Sequence, residues 1–236
     1  MEYIRVTKDN LEKEHICCAI SNNKDIQVSS KKSWLADRFD EGLVFLKSTE
    51  RGKCFIEYIP AEYAWVPIDA RGYMYIDCLW VSGSFKGHGY SSDLLNACIG
   101  DSKEKGLKGL CILAAAKKKP FLADPKFLKY KGFTVCDEAD NGIQLWYLPF
   151  DQDTDKPRFK ECAKHPQTDE RDMFCTIPAS VRLMRSTCRF WSRRPKRIVL
   201  RSMRFISRTG KMRRTLRHQS RIMPCSMMES ILQTSR

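Results

Sequence analysis

Residues 73–99 hold the feature that most limits what this chain can become: a strand, a glycine-rich turn and a helix in direct succession. The run YMYIDCLWV alternates aromatic and aliphatic residues and reads as a buried strand ending near Val81. Gly83, Gly87 and Gly89 follow, and residues 90–99 carry the pattern of an amphipathic helix. That order builds a phosphate pocket. Glycine lets the backbone approach an anion, and the first N–H groups and the dipole of a helix point at it. Lys86 adds a cation to the turn, and Ser91, Ser92 and Asp93 suit a first helical turn. The dinucleotide spacing G-x-G-x-x-G and the P-loop spacing are both absent.

The stretch WVSGSFKGHGYSSDLL, with KPFLADPKFLKYKGF and LWYLPF further on, resembles the GNAT superfamily of N-acetyltransferases, in particular its YoaP-like branch, over residues 2–165. Against the family pattern [RQ]-x-x-G-x-[GA], Lys86 stands at the Arg/Gln position, Gly89 at the central glycine and Ser91 at the final small residue. The resemblance implies an α/β (α+β) fold with a mixed central sheet and flanking helices, and acetyl-CoA as co-substrate. It implies that the backbone of Lys86, Gly87, His88, Gly89, Tyr90 and Ser91 holds the pyrophosphate, and that Leu79, Trp80 and Val81 line the pantetheine. The reaction it implies is direct attack of an amine, from a small molecule or a peptide, on the acetyl thioester.

That chemistry needs a base for the ammonium proton and a proton source for the departing thiolate. Glu57 and Asp77 lie on strands near the expected cleft and are the candidate bases, with Glu62 third. Many members of the superfamily place an acid tyrosine four residues before a late Gly-Phe pair. Here Gly132-Phe133 is that pair, Leu128 occupies the tyrosine position, and Tyr130, two residues before the glycine, is the candidate acid. His88 reads as a solvated loop residue, and Trp34 as packing. Lys117, Lys118 and Lys119 read as a solvated run at a strand end or as contacts to the 3′-phosphate of the cofactor. The resemblance also implies that the acceptor is read by variable loops, here residues 28–38 and 62–72.

The chain in order gives a strand at 2–7, a helix at 11–20 capped by Asn10, and a helix at 29–41 whose core stripe is Trp34, Leu35 and Phe39. Strands follow at 43–47 and 53–60, with an extended connection over 61–70. After the motif come an apolar strand at 110–115, a short helix within 120–130, and a β pair, 133–135 with 144–148, around the Asn141-Gly142 turn. Residues 1–150 are expected to form the N-acetyltransferase domain and 151–170 a linker or the start of a YoaP-like C-terminal segment.

Charge divides the chain. Residues 1–170 hold 25 Lys/Arg against 26 Asp/Glu, and residues 171–236 hold 17 against 2, so the net +14 belongs to the tail. The globular part therefore gives no support to nucleic acid as a partner, despite the basic runs RRPKR and KMRRTLRH. The tail has no sustained period and is expected to be disordered. Shifting the frame by one base permits GYVLYHSGQCPFNAKYVPVLE, which resembles the continuation of YoaP-like proteins, so residues from Arg171 onward are expected to be an out-of-frame translation. No apolar run of membrane-spanning length and no signal-peptide layout is present. The eleven cysteines are scattered without CxxC pairs, so zinc and a disulfide framework are not expected and a reducing cytoplasm is. Two other function classes stay open: a GNAT-fold acyl-CoA-binding module without catalysis, and nucleic-acid binding through the tail. The acceptor amine and the oligomeric state are left open.

Overall fold

The computed structural model describes residues 1–16, 22, 25–119, 122–139, 142–151 and 154–164. The chain divides into two units, Met1–Lys160 and Glu161–Arg236. Of the second, the described part is a helix of one turn, Glu161–Lys164. The expectations for the basic tail, for most of the linker's second half and for Asn141 lie outside the described residues.

The first unit is built on a seven-stranded sheet. Its strands are β1 (Tyr3–Val6), β2 (Val44–Ser48), β3 (Cys54–Pro60), β5 (Tyr73–Val81), β6 (Gly109–Ala115), β7 (Thr134–Glu138) and β8 (Ile143–Pro149). Their order is β1-β2-β3-β5-β6-β8-β7. Every neighbouring pair is antiparallel except β5–β6, which is parallel and spanned by helix α2 (Tyr90–Glu104). A parallel pair needs such a crossover, so the strand–turn–helix–strand order read from sequence fixes the centre of the sheet. The short strands β4 (Ile68–Asp69) and β9 (Arg158–Phe159) pair separately.

Strand alternation sends two sets of side chains to opposite faces. Val44, Ile56, Tyr58, Met74 and Ile76 pack with Leu94, Leu95 and Cys98 of α2 and with Leu128 of helix α3 (Pro125–Tyr130). The other face carries Phe45 stacked on Phe55, ring centroids 5.0 Å apart, and meets helix α1 (Ile26–Phe39). At about 25 cal/mol per Å² of apolar surface, each fully buried Leu, Ile or Phe contributes roughly 1.5–3 kcal/mol to holding the layers together.

Five sequence expectations are corrected. Residues 11–16 form turns rather than the first half of a helix, because the Asn10 side chain folds back on its own segment, accepting the Thr7 N–H and donating to Arg5 O. Helix α1 starts earlier than residue 29, at Ile26, where the Asp25 carboxylate caps the Gln27 N–H. Its buried stripe is Val28, Lys31, Lys32, Leu35 and Arg38, while Trp34 and Phe39 are half-buried. Residues 28–38, expected among the acceptor-reading loops, are thus helical. In the connection 61–70, a single 3-10 turn at Ala61–Tyr63 precedes β4.

Candidate active site

The glycine turn closes β5 and opens α2. Phe85 roots it: the ring is buried in the core and lies so close to Gly52 that a Cβ there would meet the ring at 2.3 Å. The rest of the turn is open. Gly87 and Gly89 have φ of 84° and 81°, and a Cβ on either would meet nothing within 4 Å. Glycine is required there for backbone conformation rather than for packing. Gly89 caps α2, its carbonyl accepting from the Ser92 and Asp93 N–H groups at 2.8 and 3.2 Å. Among the described residues, no acceptor takes the N–H groups of Gly87, His88, Gly89, Tyr90 or Ser91. The Lys86 N–H instead turns back to Gly83 O at 3.2 Å, so Lys86 has its exposed ammonium to offer. His88 stacks on Tyr90 with ring centroids 5.4 Å apart. Five free donors at a helix N-terminus make an anion cradle.

Beyond that cradle the sheet opens. β5 pairs with β6 only as far as Ile76↔Ile112, whereas on its other edge it stays paired with β3 to Val81↔Cys54. Leu79, Trp80 and Val81 therefore border a gap between strands, with backbone groups on that edge unpaired by β6. On the far side of the gap Ala114 makes a parallel bridge to Ala123. A slender chain carrying amide groups fits between such edges, since it can restore the lost ladder.

At the mouth of the gap the register slips. Glu57 faces Cys78 and Tyr58 faces Ile76, leaving Asp77 as the extra residue of a β-bulge. The bulge changes the phase of β5. Met74 and Ile76 point to the α2 face, and after the slip Leu79 and Val81 do so. Asp77 and Cys78 are consequently both turned toward the α1 face, the side of Glu57. Glu57 is fully buried, and its Oε2 accepts from Lys31 Nζ at 2.6 Å. Lys31 is itself buried and lies 5.5 Å from the Phe45 ring and 5.9 Å from that of Trp34. Burial alone would push its ammonium toward neutrality, but Glu57 more than offsets this and raises its pKa.

Asp77 has a different setting. The residue as a whole is exposed, with the charges of Glu57, Lys31 and Arg38 close by. Desolvation, then the negative charge of Glu57, push its pKa up to about 7 from an ordinary 3.8, against the opposing pull of Lys31 and Arg38. Arg38 is held by Glu41 and by the Tyr63 carbonyl, with its guanidinium over the Trp65 ring at 4.9 Å.

The fold thus brings Glu57 and Asp77 together and sets the turn residues and Leu79–Val81 along one continuous path. The other candidates stand apart. Tyr130 ends α3, whose contacts are on the α2 face, and is 79% exposed with Lys131 Nζ 5.0 Å over its ring. Leu128, at the position where the family pattern has tyrosine, is buried in the core. Glu62 accepts the Gly72 N–H at 2.7 Å. Lys118 pairs with Asp124, the cap of α3, at 3.0 Å. Sequence reading missed Lys31 and Arg38, although Val28, Lys31, Leu35 and Arg38 share one helical face by their spacing.

The N-acetyltransferase YoaP of Bacillus subtilis (strain 168), itself described as uncharacterized, is 48% identical over 172 residues, covering 72% of this chain and 68% of that protein. The profile of the Acetyltransferase (GNAT) family matches residues 9–120. The chain belongs to the GNAT acetyltransferase family. It is YoaP-like and an enzyme of the acetyl-transferring class. Among solved structures, it is similar to the yncA protein of Salmonella typhimurium, determined with acetyl-CoA, at 17% identity over 66% of this chain and 97% of that one, TM-score 0.47. It is also similar to the paia N-acetyltransferase of Thermoplasma acidophilum in complex with coenzyme A, at 13% identity over 64% and 100%, TM-score 0.43. No helix of the described residues is long and apolar enough to cross a membrane.

Proposed function

We propose that this GNAT-family chain transfers the acetyl group of acetyl-CoA to the amine of a small molecule or peptide by direct attack, with Asp77 as the base. The observation that carries this reading is the bulge at Asp77. It puts an accessible carboxyl with a pKa of about 7 where β5 and β6 part, beside the strand edge that the pantetheine would follow. A base titrating near neutrality removes an ammonium proton and still releases it to solvent afterwards.

The cradle fits the co-substrate. Gly87, His88, Gly89, Tyr90 and Ser91 offer N–H groups to a pyrophosphate, Lys86 adds a charge, and Leu79, Trp80 and Val81 lie along the gap. Glu57 is the inner carboxylate rather than the base, because burial keeps it from an incoming amine. Tyr130, exposed at the end of α3, is set aside as the acid, and the thiolate takes its proton from the reacting nitrogen or from water. A catalytically silent binding module would have no use for an accessible, half-protonated carboxyl at this point.

The test is acetyl-CoA turnover against a panel of amines, comparing the parent with Asp77→Asn. Turnover with at least one amine, lowered on the order of a hundredfold in the variant with cofactor affinity kept, supports the reading. Full turnover by Asp77→Asn removes Asp77 from the reaction. Cofactor binding without turnover on any amine favours the silent module.

A further inference from the structure

Glu57 Oε1 is buried and, among the described residues, receives no hydrogen bond, although Glu57 Oε2 is held by Lys31 at 2.6 Å. An orphaned carboxylate oxygen inside a sheet is costly, the more so when charged. Its neighbour is another carboxyl, Asp77, set beside it by the bulge. Two carboxylates have no donor between them. They bond only when one proton lies on the pair. Lys31 Nζ bonds the other oxygen, Oε2, and lies 5.5 Å from the Phe45 ring and 5.9 Å from that of Trp34.

We propose that Glu57 and Lys31 are positioning residues for the base: Lys31 fixes Glu57 as a carboxylate, and Glu57 Oε1 accepts the hydrogen bond of Asp77 once Asp77 has taken the acceptor's proton. The inference rests on the reading of Asp77 as base and adds where the proton is kept. In the forward step an N–H bond of the ammonium breaks and an O–H bond forms on Asp77, which donates to Glu57 Oε1. The free amine attacks the thioester carbon, a C–N bond forms, and the C–S electron pair leaves with sulfur. The surplus proton on nitrogen passes to the thiolate, and Asp77 returns its own proton to solvent, so one proton is released per amide formed.

The charges around Asp77 agree with this assignment. Glu57 faces it from β3, Lys31 and Arg38 from α1, and Tyr75 and Cys78 from β5 itself. Lys31 is matched by Glu57 and Arg38 by Glu41. Tyr75 is buried and its phenol is held in the neutral form. Asp77 is then the negative charge without a cation of its own, and a proton neutralises it.

The direct measurement is carboxyl-carbon NMR titration of the ligand-free protein, alongside the pH profile of kcat/KM. In the parent, the Asp77 signal should move through a step near pH 7, well above an ordinary carboxyl. Glu57→Gln removes the negative charge beside Asp77, so the Asp77 midpoint and the acidic limb should both fall by about one pH unit or more. A Glu57 that does not interact with Asp77 would lower turnover and leave the midpoint in place. Should Glu57→Gln not fold, the charge-free pair Lys31→Met/Glu57→Gln carries the same prediction of a lowered Asp77 midpoint. An unchanged or raised Asp77 midpoint in whichever variant folds overturns the proposal. Full turnover by Asp77→Asn would instead defeat the base assignment, leaving the Asp77 midpoint measurable on its own.

Discussion

The two halves of the candidate site are built from opposite materials. The Lys86–Ser91 turn works through backbone, is open to solvent, and needs glycine because φ is positive at Gly87 and Gly89 rather than because space is short. The Lys31–Glu57–Asp77 group works through side chains, is buried except at Asp77, and depends on charges that compensate one another. The contrast teaches where each half is fragile. Damage to the turn should appear in ligand affinity with little change in folding, whereas damage to the charged group should appear in both stability and rate.

The sharpest break of that contrast is Lys31→Ala. It leaves Glu57 buried without its cation, and removing one partner of a buried pair costs about 3–5 kcal/mol. Chemical denaturation should show a loss of that order, a large share of the roughly 5–15 kcal/mol typical of a domain. A loss under about 1 kcal/mol would mean that water reaches Glu57 and that the pair is not truly interior.

Next in size is Gly89→Glu, which puts a side chain and a negative charge into the anion cradle. Calorimetry with CoA should show at least a tenfold loss of affinity, roughly 1.4 kcal/mol. Equal affinity in variant and parent would take the cradle out of consideration.

Gly87→Ala refines the comparison further. The new methyl meets open space, so the cost is that of holding alanine at positive φ, on the order of 1 kcal/mol, with no packing penalty. A drop of 3 kcal/mol or more in the unfolding free energy would show the turn to be packed after all.

The smallest effect is a dependence of stability on pH. Asp77 binds its proton more tightly folded than unfolded, about 7 against 3.8, so between those values the native state holds more protons. Stability from this group is complete below about pH 4 and declines as pH rises through about 7. Asp77→Asn should remove that decline and raise the melting temperature relative to the parent at pH 8, by a few degrees at most given the exposure of the carboxyl. A parent whose stability rises from pH 5 to 8 while the variant's stays flat would reverse the sign and contradict the raised pKa.

How legible the site was differed between its halves in the same way. The turn was readable because a strand, glycines and a helix start are local: Gly87 and Gly89 announce positive φ, and the free N–H groups follow from α2 beginning at Tyr90. Glu57 and Asp77 were readable as carboxylates on strands, but not as partners, since they lie 20 residues apart in sequence and meet only through the β3–β5 register. Lys31 was harder still. A lysine on a helix is ordinarily solvated, and its burial follows from a carboxylate on another element. The 11–16 segment failed for a local reason of the other kind: Asn10 bonds its own backbone in a turn and competes with the helix that the apolar spacing favoured.

Sequence by itself determined the order of the elements, the parallel centre of the sheet that a strand–helix–strand crossover enforces, and the glycine turn at the start of α2. These rest on alternation, helical period and glycine, which act over a few residues. Tertiary structure alone decided that β5 and β6 part after Ile76↔Ile112, that the register slips at Glu57/Tyr58, and that Asp77 therefore faces α1 beside a lysine-held Glu57. The physical reason is that register and burial are properties of pairs of distant segments. A carboxylate's proton affinity is set by which charges and how much water surround it, and those are fixed only when the strands and the helix have packed.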